Sequence, residues 1–266
     1  MKFEFHEKWK DLATGRFNKH VYLLDGKQAT GVTTVLGVIA KNSLIQWAAN
    51  LAAAKAFVLA DSMNGALGAL AEDILKHEKI TSTIAKELDS FPQFKEARLA
   101  HAEKRDSAAD TGTLAHKDVE EYIKLMISDQ DGIAKGINGG HDNPMVERFI
   151  QWAVSNKVKF LESEKKVYSE SWFVAGTLDF TAIINGKRFI CDLKTMDRLW
   201  DRQPHFQAAA YMKMAVEMGE ESYDGTLIVN INKETNELTE YYSYDWEADI
   251  KSFEAALTLY RTLDNG

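Results

Sequence analysis

Residues Phe173–Thr195 read FVAGTLDFTAIINGKRFICDLKT, and this stretch decides the fold. Asn185-Gly186 at its centre is the strongest short-range signal for a two-residue type I′ turn. A two-residue turn pairs Ile184 with Lys187 and fixes every pair beyond it. Asp179 then falls opposite Asp192, and Thr177 opposite Lys194. Facing residues of an antiparallel pair share a face, with Cβ atoms roughly 4.5–5.5 Å apart. One face is therefore expected to carry Asp179, Asp192 and Lys194. The other carries Leu178, Phe180, Ala182, Ile184, Phe189, Cys191 and Leu193, a nearly pure core face. Two opposed acids beside a lysine, on a strand pair with a defined buried side, point to a metal site.

The rest of the composition bounds the answer. The chain has 266 residues, 45% hydrophobic and 27% charged, ordinary for a soluble globular protein with ample core material. No internal repeat, low-complexity tract or composition shift divides it. One α/β domain over residues 1–266 is expected, with strands and a helical part over 1–110 and the hairpin core over 111–266. The single cysteine excludes an internal disulfide and the cysteine-ligated zinc or iron–sulfur sites, which need three or four thiolates. Cys191, on the apolar face, reads as a buried structural thiol. The start MKFEFHEKWKDL lacks the apolar core of a signal peptide, and no stretch is long enough to span a bilayer. A cytoplasmic location with no membrane partner follows as an expectation. The net charge of −8 counts mildly against a protein that coats nucleic acid, because such binding runs on many phosphate contacts. It leaves a nuclease open, since a site that gathers carboxylates for a cation adds to a negative total.

Along the chain, FNKHVYLL, the turn Asp25-Gly26 and QATGVTTVL read as short strands. Thr33 or Thr34 is a candidate cap for a helix from about Val35 to Ser62. A helical region follows from Ala66 to Ala109, and another helix from Thr113 to about Ser128. The Gly- and Asn-rich segment from Asp129 to Pro144 reads as a surface loop. Then come a helix over Met145–Ser155, a strand over about Val158–Ser169, the hairpin, and a helix opening near Pro204, where proline suits the first turn. Strands over Gly225–Ile231 and Leu238–Tyr244 precede a closing helix whose Ile250, Phe253, Leu257 and Tyr260 recur at helical spacing.

Asp-x-Lys alone means little: a chain this long holds roughly one by chance, and Asp249-Ile250-Lys251 is such a decoy. Asp192-Leu193-Lys194 differs by its context, since it ends an apolar strand and faces Asp179 across a fixed register. The bland reading is a solvated sheet edge bearing a plain ion pair. Two further elements bear on the choice. Gly112-Thr-Leu-Ala-His116 opens a helix, where glycine permits close backbone approach and His116 can offer a ring nitrogen to a cation. Gln207 and Tyr211 are four apart on the later helix and hence on one face. Taken singly, His116 is an ordinary helix histidine and the Gln207–Tyr211 pair is ordinary packing.

In order, Gly112–His116, Gly176–Asp179, Asp192–Thr195 and Gln207–Tyr211 resemble the RecB-type branch of the PD-(D/E)XK nucleases. The opening GVTTVLGVIAK with Leu44 and Trp47 is similar to the N-terminal segment of phage exonucleases and of mitochondrial genome maintenance exonuclease relatives. The resemblance covers about residues 30–215. It implies a restriction-endonuclease-like core: a mixed central sheet flanked by helices, with the acids on the hairpin strands. It also implies that Asp179, Asp192, His116 and the backbone carbonyl of Leu193 hold Mg²⁺ or Mn²⁺, one ion or two. Lys194 would orient or deprotonate the attacking water, with Gln207 and Tyr211 lining the site. Glu164 is a further candidate, either on the metal or behind its ligands. Leu178 stands where the family's name has proline, which changes no ligand. The four cysteines of the iron–sulfur subgroup are absent, so no cluster is expected, and helicase motifs are absent too.

Under this resemblance the partner is DNA, with a phage recombination or single-strand-binding protein as a further candidate partner. The segment MDRLWDRQPHF after the site carries Arg198, Trp200, Arg202 and His205, which suit phosphate grip and base stacking; a helix start with a core tryptophan fits them equally. Lys104, Arg105, Thr33, Thr34 and Lys41 are other candidate phosphate contacts. The leading reading is a metal-dependent exonuclease acting at DNA ends in phage recombination, replication or repair. A catalytically silent nucleic-acid-binding module on the same fold is the alternative. A retaining glycosidase also holds two acids about 5–5.5 Å apart, but Lys194 is expected to depress both acids and spoil a general acid.

Overall fold

The computed structural model describes residues 2–7, 9–10, 17–18, 20–39, 115–128, 141–199 and 201–264. They belong to one compact unit built from Met1–Ile39 and Gly112–Gly266. The helices expected between residues 40 and 109, the Gly112 helix opening, and most of the 129–144 loop lie outside the described residues.

The N-terminal part holds β1 (Phe3–His6), β2 (Trp9–Lys10), β3 (Phe17–Asn18), β4 (Val21–Leu24), β5 (Lys27–Gln28), β6 (Thr30–Gly31) and the short helix α1 (Val32–Leu36). After it come α2 (115–128), α3 (Pro144–Ser155), β7 (Lys159–Ser169), β8 (Val174–Ile184) and β9 (Lys187–Lys194). The chain closes with α4 (Gln203–Glu217), β10 (Gly225–Ile231), β11 (Leu238–Ser243) and α5 (Trp246–Asp264).

The fold is α/β, with a mixed sheet flanked by helices. The main sheet runs β11-β10-β9-β8-β6, and β7 also pairs with β8. β9 and β10 are parallel, joined through α4, while β7, β8 and β9 form an antiparallel meander. Asn185 and Gly186 adopt φ of 51° and 78°, and positive φ at both central residues is what a type I′ turn requires. Ile184 pairs with Lys187, and the ladder continues in that register to Phe180 and Cys191.

Hydrophobic cores cover both faces of the sheet. On one, Phe180, Ala182, Ile184, Phe189, Cys191 and Leu193 pack against α2 and α3. Phe149 of α3 is its hub, fully buried among the rings of Tyr122, Trp152, Phe160 and Phe180. Burying one such side chain contributes about 2–3 kcal/mol. Asn143 accepts a hydrogen bond from the Met145 N–H, and Pro144 follows it, so α3 starts on a side-chain cap with proline in its first turn. On the other face, Val174, Leu178, Ile190 and Ile228 pack against α1, α4 and α5. Phe253 and Leu257 of α5 are buried there, with Ile250 and Tyr260 beside them, as the helical spacing predicts.

Two sequence expectations need correction. Leu178 does not share the face of Phe180. It packs on the α4 side with Val174, and Gly176 on that side lies against Tyr211, so the alternation of β8 reverses across Asp179. Nor do Thr33 and Thr34 cap a helix beginning at Val35. The helix begins at Val32 with Gly31 as its cap residue and ends at Leu36; both threonines sit inside it, exposed. Gly31 is extended because it still pairs with Ala175 of β8, so the sheet sets the helix start.

A smaller sheet, β1-β4-β5, lies against β7 and β8 through Leu24, Ala29 and Ala175. Among the described residues, no helix is long and apolar enough to cross a membrane.

Candidate functional site

The site lies where β8 and β9 part. β9 stays paired with β10 through Asp192 and Lys194, whereas β8 takes β6 as its neighbour at Val174 and Ala175. The β8–β9 ladder stops at Phe180 and Cys191. Asp179 is the next residue, at the point where the alternation reverses. Its Oδ2 accepts a hydrogen bond from the Leu193 N–H at 2.8 Å, so a side chain replaces the missing ladder bond. The resemblance gives Leu193 a carbonyl role; the contact seen here is through its N–H.

Asp192 is 1% exposed, and its Oδ1 has no hydrogen-bond partner among the described residues. Lys194 Nζ lies 2.5 Å from its Oδ2, a close ion pair that supplies this oxygen with its counter-charge. His116, near the start of α2, brings Nδ1 to 3.9 Å from Asp179 Oδ2. Two helical layers thus flank the gap in the sheet, α2 supplying His116 and α4 supplying Gln207 and Tyr211.

Burial governs the electrostatics. It pushes the Asp192 carboxyl up to about 6, against the pull of Lys194 and with the Asp179 charge adding to the rise. Burial also raises Asp179, although Lys194 and the Leu193 N–H oppose it. The expectation that Lys194 depresses both acids is therefore corrected: desolvation outweighs it. For Lys194 the balance reverses. Burial disfavours its charge, but Asp192 and Asp179 together outweigh burial and raise its pKa. His116 is lowered by burial and by Lys194, with Asp192 opposing, so at pH 7 it is a neutral imidazole with a lone pair to offer.

Glu164 sits on the far side of Asp179. The β7–β8 ladder pairs Ser163 with Phe180 and Lys165 with Leu178, passing over the Glu164–Asp179 position between them. Glu164 has a φ of 51° there, a left-handed conformation uncommon outside glycine and often found at functional sites. Burial raises its carboxyl to about 7, with Asp179 and Glu120 adding and Lys166 and Lys124 opposing. Sequence reasoning missed Glu120. Its signal was the i, i+4 spacing from His116, which puts both on one helix face.

Gln207 Nε2 donates to the Tyr211 hydroxyl at 3.1 Å, and Tyr211 is 3% exposed. Burial drives the phenol well above its ordinary range, Gln207 opposes, and the Asp192 and Asp179 charges add to the rise. Tyr22, also missed, bonds Thr177 Oγ1 at 3.0 Å, two residues before Asp179.

The expected DNA strip fares differently. Arg202 grips the buried Asp249 through Nη2 at 2.8 and 3.0 Å and Nε at 3.2 Å, and also donates to Ser243 Oγ. That makes it an anchor between α4 and α5, and the decoy Asp249 its structural partner. His205 is 4% exposed, meets Thr226 Oγ1 at 2.9 Å, and is lowered to about 4 mainly by burial. It is a neutral core residue, not part of a basic strip. Arg198 is exposed on the loop after Lys194. Asn230 holds that loop, accepting from the Met196 N–H at 3.1 Å and donating to the Met196 carbonyl at 2.9 Å. Trp200, Lys41, Lys104 and Arg105 lie outside the described residues.

Among the described residues, no three His, Cys, Asp or Glu side chains already converge as a metal-binding group. Cys191 is buried, and burial pushes its thiol up, as a structural thiol requires. The chain matches no known family model and no curated protein sequence. Among solved structures it is similar to SSO0001, at 15% identity over 54% of this chain and 74% of that one, with a TM-score of 0.27. So distant a likeness does not bear on function.

Proposed function

We propose that this protein is a metal-dependent DNA nuclease, acting as an exonuclease on phosphodiester bonds at DNA ends. The observation that carries the reading is Asp192: a buried carboxylate paired with Lys194 through Oδ2, its Oδ1 without a hydrogen-bond partner among the described residues, beside a second acid and a histidine. Two buried acids facing one lysine leave negative charge unbalanced, which is costly in a desolvated site, and a divalent cation would offset it.

Asp192, Asp179 and His116 would hold Mg²⁺ or Mn²⁺, with the Leu193 carbonyl and Glu164 as further donors; oxygen-rich sets suit these ions. A bound ion would supply Lewis acidity toward phosphate oxygens and an acidified water. Lys194, held firmly cationic by the two acids, would orient the attacking water and stabilise charge gathering on the phosphate. The Asp179–Leu193 bond fixes the gap between the strands, and Tyr211 with Gln207 walls the α4 side.

The test is digestion of end-labelled linear and closed circular DNA with Mg²⁺ or Mn²⁺, and with EDTA. Loss of linear DNA alone, abolished by EDTA, is expected. Cleavage that survives EDTA would contradict the proposal and point to metal-free phosphodiester chemistry.

A second reading, a silent nucleic-acid-binding module, is favoured by one observation: Lys194 already meets the Asp192 charge. Titration with Mn²⁺ separates the two, since a silent module binds DNA without taking up the ion.

A further inference from the structure

A row of five rings runs beside the site, stacked except at Phe5–Tyr22, where the planes are tilted by 35°. Tyr168 and Phe3 stack with centroids 4.9 Å apart, Phe3 and Tyr22 at 6.4 Å, Phe5 and Tyr22 at 5.3 Å, and Phe5 and His20 at 5.9 Å. None of the five is buried, and His20 at the end of the row is exposed. Tyr168, Phe3 and Tyr22 have a packing role, lying against Leu24, Ala29 and Ala175. Among the described residues, Phe5 packs on none of the core clusters. Its neighbours are Tyr22, His20 and Lys166, whose Nζ lies 5.0 Å from the Phe5 ring centre. Among the described residues, the outer end of the row thus lies beyond the hydrophobic clusters, with Phe5 half-buried and His20 exposed.

The row is continuous with the candidate site at two points. Tyr22 is fixed by Thr177, two residues from Asp179. Lys166 donates to the Glu164 carbonyl at 2.9 Å, so its ammonium sits between the acid cluster and Phe5.

We propose that Phe5 and His20 form a base-stacking end for single-stranded DNA, with Lys166 meeting a phosphate as the strand passes to the site. The proposal rests on the nuclease reading and adds the substrate's form. Exposed aromatic rings beside a cation are how single strands are held without sequence preference. Bases within a duplex keep their faces inside their own stack, whereas every base of a single strand offers a face to continue the row beyond His20.

The experiment is fluorescence anisotropy of a labelled 12-nucleotide oligothymidine and of a blunt duplex, using the full chain carrying Lys194→Met with Mg²⁺ present. Phe5→Leu, which keeps apolar bulk but loses the planar face, and His20→Ala should each weaken oligothymidine binding roughly tenfold. Duplex binding should hold, and Phe5→Trp should bind the single strand at least as well as the parent. Unfolding midpoints of all variants establish that they are folded. Three outcomes overturn the proposal: parent-like binding by Phe5→Leu and His20→Ala, equal losses for duplex and single strand, or failure of Phe5→Trp to restore binding. These are binding readouts, so a nuclease reading that fails shows up separately, as absent cleavage by the native chain.

Discussion

Gly176 and Tyr211 touch so closely that a β-carbon on the glycine would lie 2.6 Å from the tyrosine Cε1. The contact joins β8 to α4 three residues before Asp179 and sets where the Tyr211 hydroxyl meets Gln207. It gives a physical reason for a glycine at this point of the strand: no other residue leaves room for the ring.

Gly176→Ala should therefore destabilise the protein by about 1–3 kcal/mol through overpacking. In a Tyr211→Ala background the same change should cost much less, because the clash is gone. Urea unfolding of the four proteins in the cycle measures the coupling. Equal costs in both backgrounds would show that the ring is not what excludes a side chain.

The buried acids give the metal-free protein a pH signature. An acid whose pKa rises on folding holds its proton more tightly when folded, so its contribution is present at low pH and lost as pH climbs through the folded pKa. For Asp192 the window runs from 3.8 to about 6, and for Glu164 from 4.5 to about 7. The raised Lys194 changes nothing in this range, since its window lies above 10.5. In EDTA, each acid should contribute a fall in stability between pH 5 and pH 7.5, opposed below 6.5 by His205 and His116, whose lowered pKa values make stability rise with pH there. Asp192→Asn should flatten the lower part of that fall, and Glu164→Gln the upper part. Denaturant midpoints across the range check both.

Removing the Arg202 guanidinium leaves Asp249 buried without its counter-charge. Breaking a fully buried pair costs about 3–5 kcal/mol; Arg202 is half exposed, with a side chain 56% accessible, so about 2 kcal/mol is expected after screening. Arg202→Ala should lower the unfolding midpoint while the folded fraction binds DNA as before. A loss of DNA affinity at unchanged stability would return Arg202 to the strand-binding strip.

Asn230→Ala should free the loop after Lys194 by deleting both bonds to Met196. The loss is about 2 kcal/mol for two partly buried hydrogen bonds. If the loop positions substrate, KM should rise more than kcat falls; an unchanged KM would confine Asn230 to a structural role.

Much of this architecture is legible in the chain. Asn185-Gly186 dictates a turn geometry few other pairs adopt, and a two-residue turn leaves one register, so Asp179 and Asp192 follow as the next step beyond the last paired residues. The reversal at Asp179 is not legible, because strict alternation puts Gly176, Leu178, Phe180, Ala182 and Ile184 all on one face, and only the parting of β8 from β9 marks where the switch falls. Arg202 and His205 sit in a basic, aromatic stretch that looks solvent-facing, yet their partners Asp249 and Thr226 come from distant elements that no local pattern announces. Tyr22 stays hidden for the same reason, since it reaches the site from another strand through Thr177. Glu120 differs, because its i, i+4 spacing from His116 on α2 is a local signal.

The central claim is that Asp192 and Asp179 take up a divalent cation and that Lys194 acts beside it. The most direct measurement compares Mn²⁺ uptake and cleavage of end-labelled linear DNA for the native chain, Lys194→Met and Asp192→Asn. Native protein should bind Mn²⁺ and cut, Lys194→Met should bind Mn²⁺ and not cut, and Asp192→Asn should do neither. Cleavage by Lys194→Met at the native rate, or undiminished Mn²⁺ uptake by Asp192→Asn, would contradict the account.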